Sequence, residues 1–345
     1  MQVVYTRDHA VHHPRMFLVS GVLRDSTEVP ERADRLFAAA ESAGHDLIES
    51  PGCGLAPIAA VHSAEYLQFL QSAHARWSRI DGAGPEVVPN VHPAARNAGG
   101  QSGGYPASVV GQAGYHMADT ACPIGPGTWP AAFAAAGVAV HATQLVREGA
   151  AMAYALCRPP GHHAYADMAG GFCFLNNSAI AAQVLCDDGA RVAILDVDVH
   201  HGNGTQGIFY ERGDVLTVSL HADPISFYPF FWGYAGERGA GPGLGANLNL
   251  PLPKGTGDDD YLTTLDKALA RIRAFAASHL VVALGLDAYE GDPFQGLRIT
   301  TAGFRRIGAA IATLGLPAVL VQEGGYLSDA LGDNLASFLD GYENG

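Results

Sequence analysis

The stretch AILDVDVHHGNGTQ, residues 193–206, begins as an apolar run and then alternates carboxylates and imidazoles with valines. Asp196, Asp198 and His200 fall at every second position, and on an extended strand that spacing puts all three on one face. Unpartnered carboxylates in a protein interior cost on the order of several kcal/mol each, so a compensating charge is expected. Three further stretches end in the same way. HLVVALGLDAYEGDP (279–293) passes from an apolar run through Gly285 to Asp287, and LPAVLVQEGGY (316–326) ends in Glu323, Gly324, Gly325 and Tyr326. ALCRPPGHHA (155–164) sets His162 and His163 in a rigid Pro-Pro-Gly turn. Two carboxylates and one imidazole can hold a divalent metal and leave a position open, as a catalytic site requires. Asp198, His200 and Asp287 are the candidate ligands; a mixed oxygen and nitrogen set suits Zn²⁺, with Fe²⁺ or Co²⁺ as competitors. Singly, each residue has a plain structural explanation, such as a helix cap, a hydrogen-bonded core histidine or a turn. Four polar clusters, each closing an apolar run, do not reduce to that.

The elements that must carry these residues are legible as alternating runs. Residues 2–5, 192–199, 215–221, 280–286 and 317–322 read as short apolar or β-branched strands. Stretches 32–43, 63–77, 129–148, 175–187, 258–276 and 301–314 read as helices. Alternation of this kind predicts an α/β fold with a mostly parallel sheet, in which ligands bind beyond the carboxyl ends of the strands. The 345 residues allow one large domain or two ordinary ones. Segment 78–128 is rich in Gly, Pro and Ser and is expected to be a long irregular insertion, which could cap the site or reach a second subunit. With 20 basic against 34 acidic residues the net charge is −14, which argues against nucleic-acid binding and would draw in a cationic substrate. No apolar run reaches membrane length, and the first residues, MQVVYTRDHAVHHPR, do not read as a signal peptide. Cys53, Cys122, Cys157, Cys173 and Cys186 form no CxxC pair and no even framework, which fits reduced thiols and a cytoplasmic protein.

RPPGHHA, GFCFLNN (171–177), DVDVHHGNGTQ, GLDAYEGDP and EGGY, in this order, resemble the histone deacetylase and acetylpolyamine amidohydrolase superfamily, as do VHSAEYLQFL (61–70) and PGTW (126–129). The resemblance runs from about residue 1 to 340 and is nearest to the bacterial acetylpolyamine amidohydrolases. It implies a single catalytic domain over 1–345 with the arginase–deacetylase fold: three αβα layers around a central, mostly parallel eight-stranded sheet. It implies Zn²⁺ on Asp198, His200 and Asp287. It assigns His162 and His163 as a tandem catalytic pair, oriented by Asp196 and Asn203, with Tyr326 donating to the oxyanion. Structural K⁺ is implied at Asp196, Asp198, His200, Ser219 and Leu220, and a second near Phe209, Arg212 and Val215. Phe172 and Tyr228 match the aromatic walls of a substrate tunnel, with Gly171, Gly324, Gly325 and Asp119 beside it, and Arg32 matches an arginine of an inner channel. The expected activity is deacetylation of acetylated amines: polyamines such as acetylputrescine, acetylcadaverine and acetylspermidine, with acetyl-lysine or another small amide as the alternative. The family also implies a homodimer through the 78–128 segment.

Within that scheme His163 would serve as base and then acid, because an imidazole titrates near the operating pH. Some relatives carry Asp where Asn203 stands, and a neutral amide should raise the pKa of His163 less. The entrance loops depart from a polyamine site. They hold few acids; Val109 and Val110 stand where one is expected, and Asp119 and Glu28 are the remaining candidates for binding distal ammonium groups. A binuclear manganese ureohydrolase would need further acids where His201 and Gly202 stand, and a non-catalytic acyl-lysine binding module would tolerate loss of Tyr326 or a histidine, all of which are present.

Overall fold

The computed structural model describes residues 1–93, 104–187 and 189–345. Its centre is an eight-stranded sheet: β1 (Gln2–Tyr5), β4 (Asp46–Glu49), β5 (Met152–Ala155), β6 (Val192–Asp196), β7 (Val215–Ala222), β8 (Asn247–Leu252), β9 (His279–Leu284) and β10 (Ala318–Gln322). A separate antiparallel hairpin pairs β2 (Met16–Val19) with β3 (Val22–Asp25). The helices are α1 (Glu31–Ser42), α2 (Ala56–Ala59), α3 (Ala64–Trp77), α4 (Val109–His116), α5 (Thr128–Arg147), α6 (Asn177–Cys186), α7 (Asn203–Phe209), α8 (Asp258–Phe275), α9 (Thr301–Ala312) and α10 (Leu331–Asn344).

Every pairing in the large sheet is parallel, and the strand order is β4-β1-β5-β10-β9-β6-β7-β8. Alternation along each strand sends successive side chains to opposite faces. Val192 and Ile194 of β6 join one core with α3, α5 and α6, while Ala193 and Leu195 join the other with α1, α8, α9 and α10. The expected αβα layering is therefore present, and both faces of the sheet are covered, as an all-parallel sheet requires. Side-chain caps set several helix starts: Ser63 accepts from Tyr66 N, Asn176 from Ala179 N and Thr300 from Gly303 N.

Three expectations change. The strand expected over 192–199 stops at Asp196, so Asp198 and His200 lie in a bend beyond the sheet. Strands β4, β5 and β8 and helix α10 join the predicted elements; β4 and β8 are the sheet edges, where half-exposed residues interrupt the apolar run. The 78–128 segment is not wholly irregular: it contains α4, a Val87–Ile124 bridge, and buried Val87, Val109, Ala113 and Ile124 packed into the first core. The Gly- and Ser-rich part of that expectation, residues 94–103, lies outside the described residues.

Candidate active site

Four neighbouring strands, β5, β10, β9 and β6, release their chains at one end of the sheet. The turn after β5 carries His162 and His163, β10 runs into Glu323–Tyr326, β9 into Asp287, and β6 into Asp196, Asp198 and His200. The four polar clusters thus converge because their strands are adjacent, although they are up to 164 positions apart in sequence, from His162 to Tyr326.

Ligand atoms of Asp198, His200 and Asp287 lie within 4.8 Å of one another, and all three residues are buried. His200 Nδ1 is 3.1 Å from both Asp198 Oδ1 and Asp287 Oδ2. Ligands of a four-coordinate Zn²⁺ with bonds of about 2.0–2.1 Å stand about 3.3 Å apart, so this donor set fits a divalent metal. Backbone N–H groups also hold the two carboxylates: His200 N and Gly324 N donate to Asp198 at 2.9 and 2.8 Å, and Val199 N donates to Asp287 at 3.0 Å. Asp196 accepts Asp198 N at 3.0 Å, which shapes the bend in place of a continued strand. A Cβ on Gly324 would fall 2.2 Å from Asp287 Oδ2, and one on Gly285 would fall 2.2 Å from Asp198 Oδ2. Glycine at both positions lets the backbone close on the ligand carboxylates. Gly324 therefore stands behind the ligand cluster, whereas a Cβ on Gly325 would meet Leu286 Cβ at 2.7 Å.

His162 and His163 are both buried and differ in their partners. His162 Nδ1 lies 2.9 Å from Asp196 Oδ2. Burial opposes its charge, but Asp198 and Asp196 outweigh that and raise its pKa to about 10. His163 Nδ1 lies 2.7 Å from Asn203 Oδ1, and Asn203 Nδ2 donates to the Tyr165 hydroxyl at 3.3 Å. The amide oxygen can only accept, so His163 Nδ1 carries the proton and Nε2 keeps a lone pair. Burial, then the charges of His162 and His200, push the His163 pKa well below the ordinary imidazole value. One imidazole is thus held cationic and its neighbour neutral.

Phe172 and Tyr228 flank this centre. The Tyr228 ring meets His163 edge-on with centroids 4.9 Å apart, and Phe172 lies 5.8 Å from the Tyr326 ring. Gly171 has φ +51°, and a Cβ there would come 2.4 Å from His163 Cδ2. Asp119 binds the wall together: Tyr228 Oη donates to it at 2.6 Å, Ala121 N at 2.8 Å and Gly171 N at 3.2 Å. Val109 and Val110 open α4, Val109 buried.

Glu28 is not an entrance acid. It is fully buried and accepts Arg158 Nε at 2.7 Å and Arg32 Nη1 at 2.9 Å, with His12 Nε2 at 3.5 Å. Against burial, Arg158 and Arg32 hold its pKa below the ordinary carboxylate value. An acid so paired has no lone pair or exposure left for a substrate ammonium. Arg32 is buried under Tyr326, its guanidinium carbon 4.6 Å from the ring centroid, and it donates to the Glu323 and Gly325 carbonyls.

The residues named for K⁺ fall in two places. Asp196 and Ser219 are register partners on β6 and β7, with Leu220 following. Phe209 closes α7, Arg212 N in the following turn donates to Phe209 O at 2.9 Å, and Val215 opens β7. A second ligand-like group, His162, Cys173 and Glu323, is already satisfied by hydrogen bonds: Glu323 accepts Gly161 N, His162 N and Ser178 Oγ at 2.6, 3.0 and 2.7 Å. His201 is turned to Gln206 at 3.1 Å, away from the ligand set.

Four contributors escaped the sequence reading. Phe17 of β2 is buried against Phe172, centroids 5.3 Å apart. Phe227 stacks on His200 at 5.0 Å, and Phe294 meets Tyr326 edge-on at 4.7 Å. Asp292 is buried and accepts Phe294 N at 2.9 Å and Tyr326 N at 3.0 Å; burial, then Asp287, push its pKa up to about 7. Asp292 lies within the GLDAYEGDP motif and Phe294 directly follows it, but Phe17 carries no local signal.

The described residues contain no helix long and apolar enough to cross a membrane. The family profile described as Histone deacetylase domain matches residues 26–342. The chain is 48% identical over 343 residues to the acetylpolyamine amidohydrolase of Burkholderia pseudomallei, covering 99% of this chain and 98% of that protein. It is 46% identical over 345 residues to acetylpolyamine amidohydrolase 1 of Pseudomonas aeruginosa, covering 99% of each. The crystal structure of acetylpolyamine aminohydrolase from Burkholderia pseudomallei superposes with a TM-score of 0.94 at 47% identity, covering 100% of this chain and 99% of that one.

Proposed function

The chain belongs to the histone deacetylase family, and from that premise we propose that it is a zinc-dependent amidohydrolase that removes acetyl groups from acetylpolyamines such as acetylputrescine, acetylcadaverine and acetylspermidine. The observation that carries this reading is one convergence: the donor set Asp198–His200–Asp287 beside a neutral, buried His163 and the Tyr326 phenol.

The residues divide the work as follows. Asp198, His200 and Asp287 would hold the metal, whose chemistry when bound is to polarise the amide carbonyl and acidify water. Zn²⁺ suits the set, with Fe²⁺ or Co²⁺ able to replace it. Phe172 and Tyr228 receive the methylenes of the substrate, and Phe17 closes a further side. His163 Nε2 takes the proton from the attacking water and returns it to the departing amine nitrogen. His162, whose cationic form Asp198 and Asp196 favour, supports the negative charge that develops at the carbonyl. Tyr326 donates its hydroxyl to the same oxygen. The net charge of −14 favours cationic substrates over nucleic acid.

A second reading, a broader acetyl-lysine or small-amide deacetylase, is favoured by the burial of Glu28, which leaves Asp119 alone of the named entrance acids. A turnover panel separates the two. Fast cleavage of the acetylated diamines with an acetyl-lysine peptide refused supports the polyamine reading; preference for the peptide or for a neutral amide overturns it. We further propose K⁺ at the β6–β7 ends and at the α7–β7 turn, a cytoplasmic location and a homodimer through the 78–128 segment. Gel filtration before and after trimming that segment tests the dimer, and an unchanged elution volume refutes it.

A further inference from the structure

The peptide joining Gly325 to Tyr326 is gripped from both sides. Its carbonyl accepts from Arg32 Nε, and its N–H donates to Asp292 Oδ2 at 3.0 Å. The other oxygen of Asp292 accepts Phe294 N at 2.9 Å, and the Phe294 ring lies edge-on to Tyr326 with centroids 4.7 Å apart. Gly325 itself has φ +110°, and a Cβ on it would fall 2.7 Å from Leu286 Cβ, so this peptide has little other room. One buried carboxylate therefore fixes the backbone of Tyr326 directly and its ring through Phe294. No step of the proposed reaction uses Asp292, and burying an acid beside Asp287 is costly, which calls for a function that offsets it.

We propose that Asp292 is a positioning residue that aims the Tyr326 phenol at the carbonyl oxygen of the substrate. The inference rests on the functional reading above, because it presumes that Tyr326 donates to that oxygen. A donor displaced by a fraction of an ångström loses most of its value to a developing charge, whereas ground-state binding of the substrate is barely affected. An amide at this position keeps the volume but has one acceptor oxygen for two N–H donors, and its own NH₂ would face the other N–H.

The test is a double-mutant cycle on the metal-loaded enzyme with acetylputrescine, using Asp292→Asn, Tyr326→Phe and both together. Asp292→Asn is expected to lower kcat about 10- to 100-fold while KM changes less than about threefold, an effect on the transition state alone. In the Tyr326→Phe background the same change should cost less than about threefold, since there is no phenol left to aim. A merely structural role would give the same factor in both backgrounds and would overturn the proposal, as would full activity of Asp292→Asn beside an impaired Tyr326→Phe. If Tyr326→Phe itself costs nothing, it is the functional reading that fails. Asp292→Ser, which retains one acceptor, gives the same cycle should the Asn variant not fold.

Discussion

The imidazoles of His162 and His163 stand 4.0 Å apart, centroid to centroid, yet one rests on a carboxylate and the other on an amide. Asp198 and Asp196 outweigh burial and favour the cationic form of His162, and that charge, after burial, helps push the His163 pKa down. Two adjacent residues of one type are thereby shifted in opposite directions, with hydrogen-bond partners 34 and 40 positions away in sequence.

The Asn203 partner sets the acid limb of the pH profile. Asn203→Asp would place a carboxylate against His163 Nδ1 and favour the imidazolium. Since the base must be deprotonated to act, the acid limb of kcat/KM should move to higher pH by about one unit. Rates measured from pH 5 to 9 for both proteins check this; an unmoved or lowered limb contradicts the assignment of His163.

Removing the Tyr326 hydroxyl should act on the rate and not on the metal. Tyr326→Phe is expected to lower kcat by about 10²–10³, with the bound metal per chain unchanged. Loss of metal along with activity would mean the tyrosine supports the ligand cluster instead.

Glu28 is predicted to hold the floor of the site. It is the carboxylate shared by Arg158 and Arg32, so Glu28→Gln would leave two buried guanidiniums without a counter-charge. Losing one partner of such a buried cluster costs about 3–5 kcal/mol. Urea denaturation measures it; a change below about 1 kcal/mol would show the cluster to be open to solvent.

His62 accepts Asn176 N at 2.9 Å, a bond that needs a neutral ring, and burial holds its pKa down to about 4. Unfolded, it titrates near 6.5. Its contribution is complete above about pH 6.5 and is lost as pH falls toward 4, by up to about 1.4 kcal/mol per pH unit. Gln can accept the same N–H without titrating. The stability of the native chain relative to His62→Gln should therefore decline through this window, and a constant difference would contradict it.

The ligand-like cluster was easier to read from the sequence than the walls around it. Asp198, His200 and Asp287 each follow an apolar run, so placing those runs side by side suffices to assemble them. The i, i+2, i+4 spacing does not act through one strand face: Asp198 and His200 lie past the strand and come together through backbone hydrogen bonds to carboxylates. Edge strands β4 and β8 were invisible because their half-exposed residues break the apolar run. Glu28 looked like a free entrance acid because its partner Arg158 is 130 positions away. Phe17 meets Phe172 across 155 positions, a contact that no local pattern announces.

Zinc-dependent hydrolysis at Asp198, His200 and Asp287 is tested most directly by stripping the protein of metal with a chelator and following acetylputrescine hydrolysis as Zn²⁺ is added back. Turnover is expected to be negligible without metal, to rise linearly and break at one Zn²⁺ per chain, and not to rise in Asp287→Ala. Hydrolysis that survives chelation, or that needs two ions per chain, would contradict it.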